Sequence, residues 1–112
     1  MAVKVQLEHK RGALIAHVDA ETIETKNVAI FRTSIAPALE ESDNVILDLS
    51  AVQFMDSTGL GALLSCLRLM KAKGGTLRLA ALSPEVRRLF DMVLMDRVFE
   101  IHPDVASALG TA

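Results

Sequence analysis

The run VILDLS at residues 45–50 constrains the fold of this chain more than any other segment. It is short and almost continuously apolar, which is typical of a strand buried on both faces at the centre of a parallel sheet. Parallel neighbours need long crossover connections, usually helices, and these helices must cover at least one face of the sheet. Apolar residues at helical spacing occur on either side of this run, in residues 28–39 and 60–70. The pattern therefore predicts an α/β fold.

Alternating and helical patterns predict the remaining elements in the same way. The further predicted strands are VKVQLE (3–8), ALIAHVD (13–19), TLRLAAL (76–82) and RVFEI (97–101). The further predicted helices are SPEVRRLFDMV (83–93), with Ser83 as its N-cap, and PDVASAL (103–109). The resulting order is β-β-α-β-α-β-α-β-α. We therefore expect a single domain, residues 1–112, with a mixed, mostly parallel sheet of about five strands and about four helices.

The residues around the first predicted helix suggest how it begins and ends. The polar connection AETIETKN at 20–27 precedes the helix, and Thr25 and Asn27 are its candidate N-caps. Pro37 lies inside the helical pattern and is expected to kink or shorten the helix, because proline has no backbone N–H to donate.

The composition excludes several classes of function. Half of the 112 residues are hydrophobic, which argues against disorder. The net charge of −2 and the absence of Trp and Tyr argue against nucleic acid or an anionic membrane as a partner. No apolar run reaches the roughly 18 residues of a membrane span, and the first residues do not form a signal peptide. A lone cysteine, Cys66, fits a reducing compartment, so we expect a cytoplasmic protein.

Metal and cofactor sites are not expected. His9, His17 and His102 are far apart and lack the spacing of metal ligands, so they are interpreted as scattered surface residues. The methionine-rich segment 92–95 is expected to belong to the core.

The segment FMDSTGLGALL at residues 54–64 concentrates the polar residues that could carry a function. Ser57 directly precedes an apolar helical run and is expected to be its N-cap, with Asp56 adding a favourable charge at the helix N-terminus. Gly59 and Gly61 would let the first turn pack closely against the sheet. A cap alone does not explain them, since each glycine costs up to roughly 1 kcal/mol in a helix. The same helix end could also hold a phosphate on Ser57.

Enzyme signatures do not fit this segment. A nucleophile elbow needs glycine two residues before the serine, where this chain has Met55. A dinucleotide fingerprint fails because residue 64 is leucine, and a P-loop fails because no lysine follows Gly61. A small hydrolase using Ser57 or Asp56 would need a paired base or a second carboxylate, and neither is evident. The chain is therefore not expected to be an enzyme.

Residues 44–80 closely resemble the core of the STAS domain as found in anti-sigma factor antagonists. The matching motifs are Asp48-Leu49-Ser50, Phe54-Met55, the segment Asp56 to Gly61, and Gly74-Gly75. The segment FEIHPDVASAL near the C-terminus resembles the closing strand and helix of the family more weakly. The family often has Gly-x-Leu-Asp at the end of its second strand, where this chain keeps Asp19 but has Ala16 in place of glycine. This departure concerns how the N-terminal loop would select a partner.

The resemblance implies a protein that works by switching partners. Such antagonists bind an anti-sigma factor that is also a Ser/Thr kinase with a histidine-kinase-like ATP site. Phosphorylation of the motif serine separates the two proteins, and a metal-dependent Ser/Thr phosphatase restores the serine. By position Ser57 is the acceptor and Thr58 a lesser candidate. The residues expected to contact the partner are Asp19, Met55, Asp56, Ser57, Thr58, Gly59 and Leu60.

One alternative remains within the same family. STAS domains also serve as subunits of complexes for lipid transport, secretion control or second-messenger signalling, without a sigma factor as output. Those versions can lack a usable serine, so the intact pair Asp56-Ser57 favours the phosphorylation switch.

Overall fold

The computed structural model describes residues 3–110. Its strands are β1 (Lys4–Lys10), β2 (Ala13–Asp19), β3 (Thr22–Ile23), β4 (Asn44–Asp48), β5 (Phe54–Met55), β6 (Thr76–Ala80) and β7 (Glu100–His102). Its α-helices are α1 (Val28–Glu41), α2 (Ser57–Ala72), α3 (Pro84–Met92) and α4 (Val105–Leu109), and a 3-10 turn covers Met95–Arg97.

Five strands form one mixed sheet in the order β1-β2-β4-β6-β7. The hairpin of β1 and β2 is antiparallel, and every other pair in this sheet is parallel. The strand predicted at residues 45–50 is the central β4, and its residues Val45, Ile46 and Leu47 are fully buried. The predicted α/β class and the mostly parallel sheet are confirmed. The short strands β3 and β5 form a separate parallel pair that the sequence pattern did not predict.

The two faces of the sheet are covered unequally. Helices α1, α2 and α3 pack on one face and enclose the main core, to which α1 contributes Phe31 and Ile35. On the other face, α4 is the covering helix among the described residues, and it packs Ala108 and Leu109 against Ile15 and Ile46. Polar side chains occupy much of the remainder of that face, including a hydrogen-bonded row from Glu8 through His17 to Asp48.

Helix α1 differs from the expectation in two ways. It continues beyond Pro37 to Glu41, because the buried side chains on either side of the proline hold it against the core. Asn27 occupies the N-cap position but makes no capping hydrogen bond. Its side chain instead accepts from the N–H of Glu24 and donates to the carbonyl oxygen of Thr22, so it organises the preceding loop. Thr25 does not cap this helix either.

Three other predictions about exposure or boundaries were wrong in part. Leu7 was expected on a half-buried strand, but β1 is an edge strand and Leu7 is 42% exposed. Met92 was expected in the core but is 74% exposed, because it lies about 200° around α3 from the buried Phe90. The final strand begins at Glu100 rather than at residue 97, since a 3-10 turn occupies Met95–Arg97. Cys66 is buried as expected, and burial raises the pKa of its thiol to about 11.

Candidate functional site

The polar motif lies where the chain passes from β4 through β5 into α2. Strand β5 pairs in parallel with β3, with Thr22 opposite Phe54 and Ile23 opposite Met55. The N–H of Gln53 donates to the carbonyl oxygen of Glu21 over 2.7 Å. The loop that follows β2 is thereby held beside the start of α2, although the two segments are about 30 residues apart in the sequence.

Asp56, and not Ser57, is the N-cap of α2. Asp56 has an extended backbone and its Oδ1 accepts from the N–H of Gly59 over 2.9 Å, whereas Ser57 is already the first helical residue. Oδ2 of Asp56 accepts from the N–H of Thr25 over 3.0 Å and from the Thr25 hydroxyl over 2.9 Å. The N–H of Gly59 and then that of Thr25 hold the pKa of Asp56 below its usual value. The predicted serine cap is therefore replaced by an ionised aspartate cap.

Thr25 is a site residue whose role the sequence did not indicate. A hydroxyl carries one proton, so Thr25 donates to Asp56 and its oxygen is available to the Thr58 hydroxyl, 3.2 Å away. These bonds close a small polar cluster of Thr25, Asp56 and Thr58 across the loop and the helix. No spacing rule connects residue 25 with residue 56, so the cluster depends on the tertiary fold.

Ser57 differs from Thr58 in the state of its hydroxyl. Both residues are exposed in the first turn of α2. The Thr58 hydroxyl lies within hydrogen-bond distance of Thr25, whereas the Ser57 hydroxyl makes no hydrogen bond to any described residue. Ser57 therefore offers a free hydroxyl on a helical backbone that its neighbour Asp56 holds in place.

The two glycines of the motif have different surroundings. A Cβ atom on Gly59 would lie 2.0 Å from the carbonyl oxygen of Ile23 and 2.9 Å from Cγ of Met55. A Cβ atom on Gly61 would meet nothing within 4 Å. The prediction of close packing is confirmed for Gly59, whose nearest neighbour belongs to β3, and is wrong for Gly61.

The exposed apolar residue near Ser57 differs from those that the sequence predicted. Met55, Gly59 and Leu60 were expected to contact a partner, but all three are buried. Phe54 is 51% exposed instead. Because side chains alternate along a strand, burial of Met55 in β5 turns Phe54 outward. Strand β5 has two residues, too few for the sequence alone to show this alternation. Asp19 is exposed at the end of β2 and makes no hydrogen bond to the motif within residues 3–110.

Asp56 is poorly suited to act as a base for Ser57. Asp56 is ionised, accepts three hydrogen bonds and has a lowered pKa, which makes it a weak base for activating Ser57. In the part of the chain that the structure describes, no group of three metal-ligating side chains converges. The interpretation of the three histidines as scattered surface residues was wrong for His17 and His102. The ring nitrogens of His17 contact Glu8 at 2.9 Å and Asp48 at 2.7 Å, and Nε2 of His102 contacts Glu100 at 2.7 Å.

Known proteins that resemble this chain identify its family. The family model for the STAS domain matches residues 4–108. The chain belongs to the STAS domain family. An anti-sigma F factor antagonist of Paenibacillus polymyxa is 31% identical over 110 residues, covering 97% of this chain and 94% of that protein. These relatives are named as antagonists of regulatory factors and not as enzymes.

Two solved structures share the fold of this chain. An anti-sigma factor antagonist from Mycobacterium paratuberculosis has a TM-score of 0.86 at 22% identity, covering 98% of this chain and 93% of that one. The Bacillus cell fate determinant SpoIIAA in its phosphorylated form has a TM-score of 0.68 at 23% identity, covering 96% and 97% of the two chains. Within residues 3–110 of this STAS domain, no helix has the length and apolarity required to cross a membrane.

Proposed function

We propose that this STAS domain is a phosphorylation-switched antagonist of an anti-sigma factor. In its unmodified form it binds an anti-sigma factor that is also a Ser/Thr kinase with a histidine-kinase-like ATP site. Transfer of phosphate to Ser57 releases the complex, and a metal-dependent phosphatase returns the serine to its free state. All of these steps take place in the cytoplasm, and the chain acts as a substrate and ligand throughout.

The observation that carries the proposal is the free, exposed hydroxyl of Ser57 beside a fixed Asp56. In the transfer, the Ser57 oxygen forms a bond to the γ-phosphorus of ATP as the bond to the departing ADP breaks. The hydroxyl proton has to pass to a base of the kinase, because Asp56 is a weak one. Thr58 is a poorer acceptor, since its hydroxyl lies in the cluster with Thr25.

The aspartate cap explains why a phosphate could change binding without unfolding the domain. Asp56 already occupies the N–H of Gly59, so a phosphate on Ser57 would lie outward rather than within the helix end. It would add about −1.5 to −2 charges beside an ionised carboxylate. A partner that buries this surface would have to desolvate those charges or face their repulsion, which costs several kcal/mol.

Docking on the unmodified surface would use Phe54. Its ring is half exposed on β5, three residues before Ser57, and aromatic side chains contribute strongly at protein interfaces. The free hydroxyl of Ser57 and the exposed ring of Phe54 lie at the same end of the molecule and both support the proposal. The relatives that are named as antagonists support it independently. SpoIIAA, a structural neighbour, has been solved in a phosphorylated form, which supports a phosphorylation step in this chain as well.

The test is incubation with ATP and the anti-sigma factor kinase of the same organism, followed by mass spectrometry and binding measurements. Wild type and Thr58→Ala should each gain one phosphate, and Ser57→Ala should gain none while still binding. Ser57→Asp should weaken binding at least about 100-fold, the equivalent of roughly 3 kcal/mol, with little change in the thermal midpoint. Phe54→Ala should weaken binding about tenfold, and Leu69→Ala, an exposed control on α2, should not. A phosphate on another residue, or tight binding of the phosphorylated form, would exclude the mechanism.

A further inference from the structure

Strand β1 is a long, open edge of the sheet. It has seven residues and lies at one end of the strand order, and no described strand pairs with its outer side. The opposite edge, β7, has three residues. Exposed edges offer unpaired backbone N–H and C=O groups to a further strand, and short edge strands are one of the ways in which proteins prevent this. The edge at β1 lacks that protection.

Apolar side chains also flank this edge. Leu7 of β1 is 42% exposed and Ile30 of α1 is 48% exposed. His9 of β1 contacts Glu41 of α1 at 2.9 Å, which places one stripe of α1 beside the strand. Ile30 precedes Glu41 by eleven residues, about three helical turns, and therefore belongs to the same stripe. Leu7 and Ile30 thus border the same open edge.

We propose that β1 pairs with β1 of a second copy of this chain, antiparallel and with Gln6 opposite Gln6. The segment KVQLE, residues 4–8, is self-complementary in this register. Lys4 of each copy faces Glu8 of the other, and Val5 of each copy faces Leu7 of the other. Opposite charges and apolar pairs stabilise facing positions in antiparallel strands. The two sheets become one continuous ten-stranded sheet about a two-fold axis, and the contact is isologous.

The neighbouring registers are disfavoured. In a two-fold antiparallel pair of identical strands, the axis must pass through a residue that faces the same residue of the other copy. An axis between two residues is excluded, because neighbouring residues direct their backbone hydrogen-bonding groups to opposite sides of the strand. An axis through Leu7 would set Lys4 against Lys10, and an axis through Glu8 would set Glu8 against itself; both are like-charge contacts. An axis through Val5 brings no opposite charges together. Among axes through residues 5 to 8, the one through Gln6 alone pairs lysine with glutamate.

The charged groups needed for this register are available in the single chain. Lys4 is exposed and forms no ion pair with any residue that the structure describes. Glu8 uses Oε1 to accept from His17, which leaves Oε2 for a lysine. The edge lies beside α1, and Ser57 is on α2 with a hydroxyl that this pairing does not use. The dimer is therefore independent of the proposed phosphorylation, and either can fail alone.

Cysteine substitution tests the register. Facing residues of antiparallel strands have Cα atoms about 4.5–5.5 Å apart, within the range that a disulfide spans. Gln6→Cys should therefore form a covalent dimer under mild oxidation, whereas Val5→Cys and Leu7→Cys, as matched controls, should form little. The native Cys66 is buried and does not compete. Equal cross-linking at the three positions, or none at Gln6→Cys, would overturn the proposed pairing.

Sedimentation of the uncross-linked protein tests the dimer itself. The mass should rise from that of the 12.1 kDa chain towards twice that value as concentration increases from about 10 μM to about 1 mM. Lys4→Glu sets glutamate against Glu8 and should keep the protein monomeric. Lys71→Glu, which makes the same charge change at an exposed residue of α2, should leave the dimer intact. A monomer throughout this range, or a dimer that tolerates Lys4→Glu, would refute the proposal.

Discussion

Replacing Gly59 by alanine should destabilise the protein, while the same replacement at Gly61 should not. The Cβ atom of an alanine at residue 59 would lie 2.0 Å from the carbonyl oxygen of Ile23, so the backbone of β3 must retreat by roughly 1 Å or more. Overpacking of this kind typically costs about 1–3 kcal/mol, and more where backbone must move. The higher helix propensity of alanine offsets up to about 1 kcal/mol. A net loss of about 2–3 kcal/mol is expected for Gly59→Ala.

Gly61→Ala is the matched control, because it makes the same chemical change in the same helical turn. A Cβ atom at residue 61 meets nothing within 4 Å, so the gain in helix propensity, up to about 1 kcal/mol, should appear undiminished. Urea denaturation measures both. With a slope of about 1–1.5 kcal/mol per molar urea for a chain of this size, the midpoint should fall by about 2 M for Gly59→Ala and rise by up to about 0.7–1 M for Gly61→Ala. Equal midpoint shifts in the two variants would refute the close contact between α2 and β3.

Two further predictions concern the polar groups of the fold. Asp56→Ala should lower the free energy of unfolding by about 1–2 kcal/mol and Ser57→Ala by less than about 0.5 kcal/mol, because the aspartate and not the serine caps α2. Urea denaturation measures both, and a larger loss for Ser57→Ala would show that the serine is the cap. The hydrogen bond to Glu8, opposed by partial burial and aided by Asp48, raises the pKa of His17. Its stabilising effect is therefore complete below about pH 6.5 and is lost as pH rises through the folded-state pKa. The urea midpoint of wild type should exceed that of His17→Gln by more at pH 5.5 than at pH 8.5, and an equal difference at both values would contradict this.

Periodicity predicted the elements that are long enough to show it. The buried faces of α1 and α2 follow from apolar residues at helical spacing, such as Phe31 and Ile35 or Leu63 and Met70, and all four are buried. The strands β3 and β5 have two residues each, too few for an alternating pattern to be recognised. They were missed for that reason, although they position the start of α2.

The details of the site depend on contacts between distant segments. Asp56 and Ser57 are adjacent and both are common N-caps, so local sequence does not decide between them. Asp56 is favoured as the cap because its side chain also accepts hydrogen bonds from Thr25. The pairing of β3 with β5 holds Thr25 near Asp56. Gly59 and Gly61 likewise look equivalent in the sequence, yet only Gly59 faces Ile23. The family resemblance identified the motif, and the tertiary structure distinguishes the residues within it.

The position of Ser57 in the first turn of α2 has a consequence for any enzyme that modifies it. The backbone at this residue is helical and is anchored by the cap at Asp56 and by the contact of Gly59 with Ile23. An enzyme that bound residues 54–64 as an extended peptide would first have to unwind this turn and break both contacts. An enzyme that recognises the folded surface avoids this cost, but it must then read residues from two segments about 30 positions apart. Selectivity for this serine would therefore depend on the folded surface around it. A linear peptide containing the motif would be a poor substrate for such an enzyme.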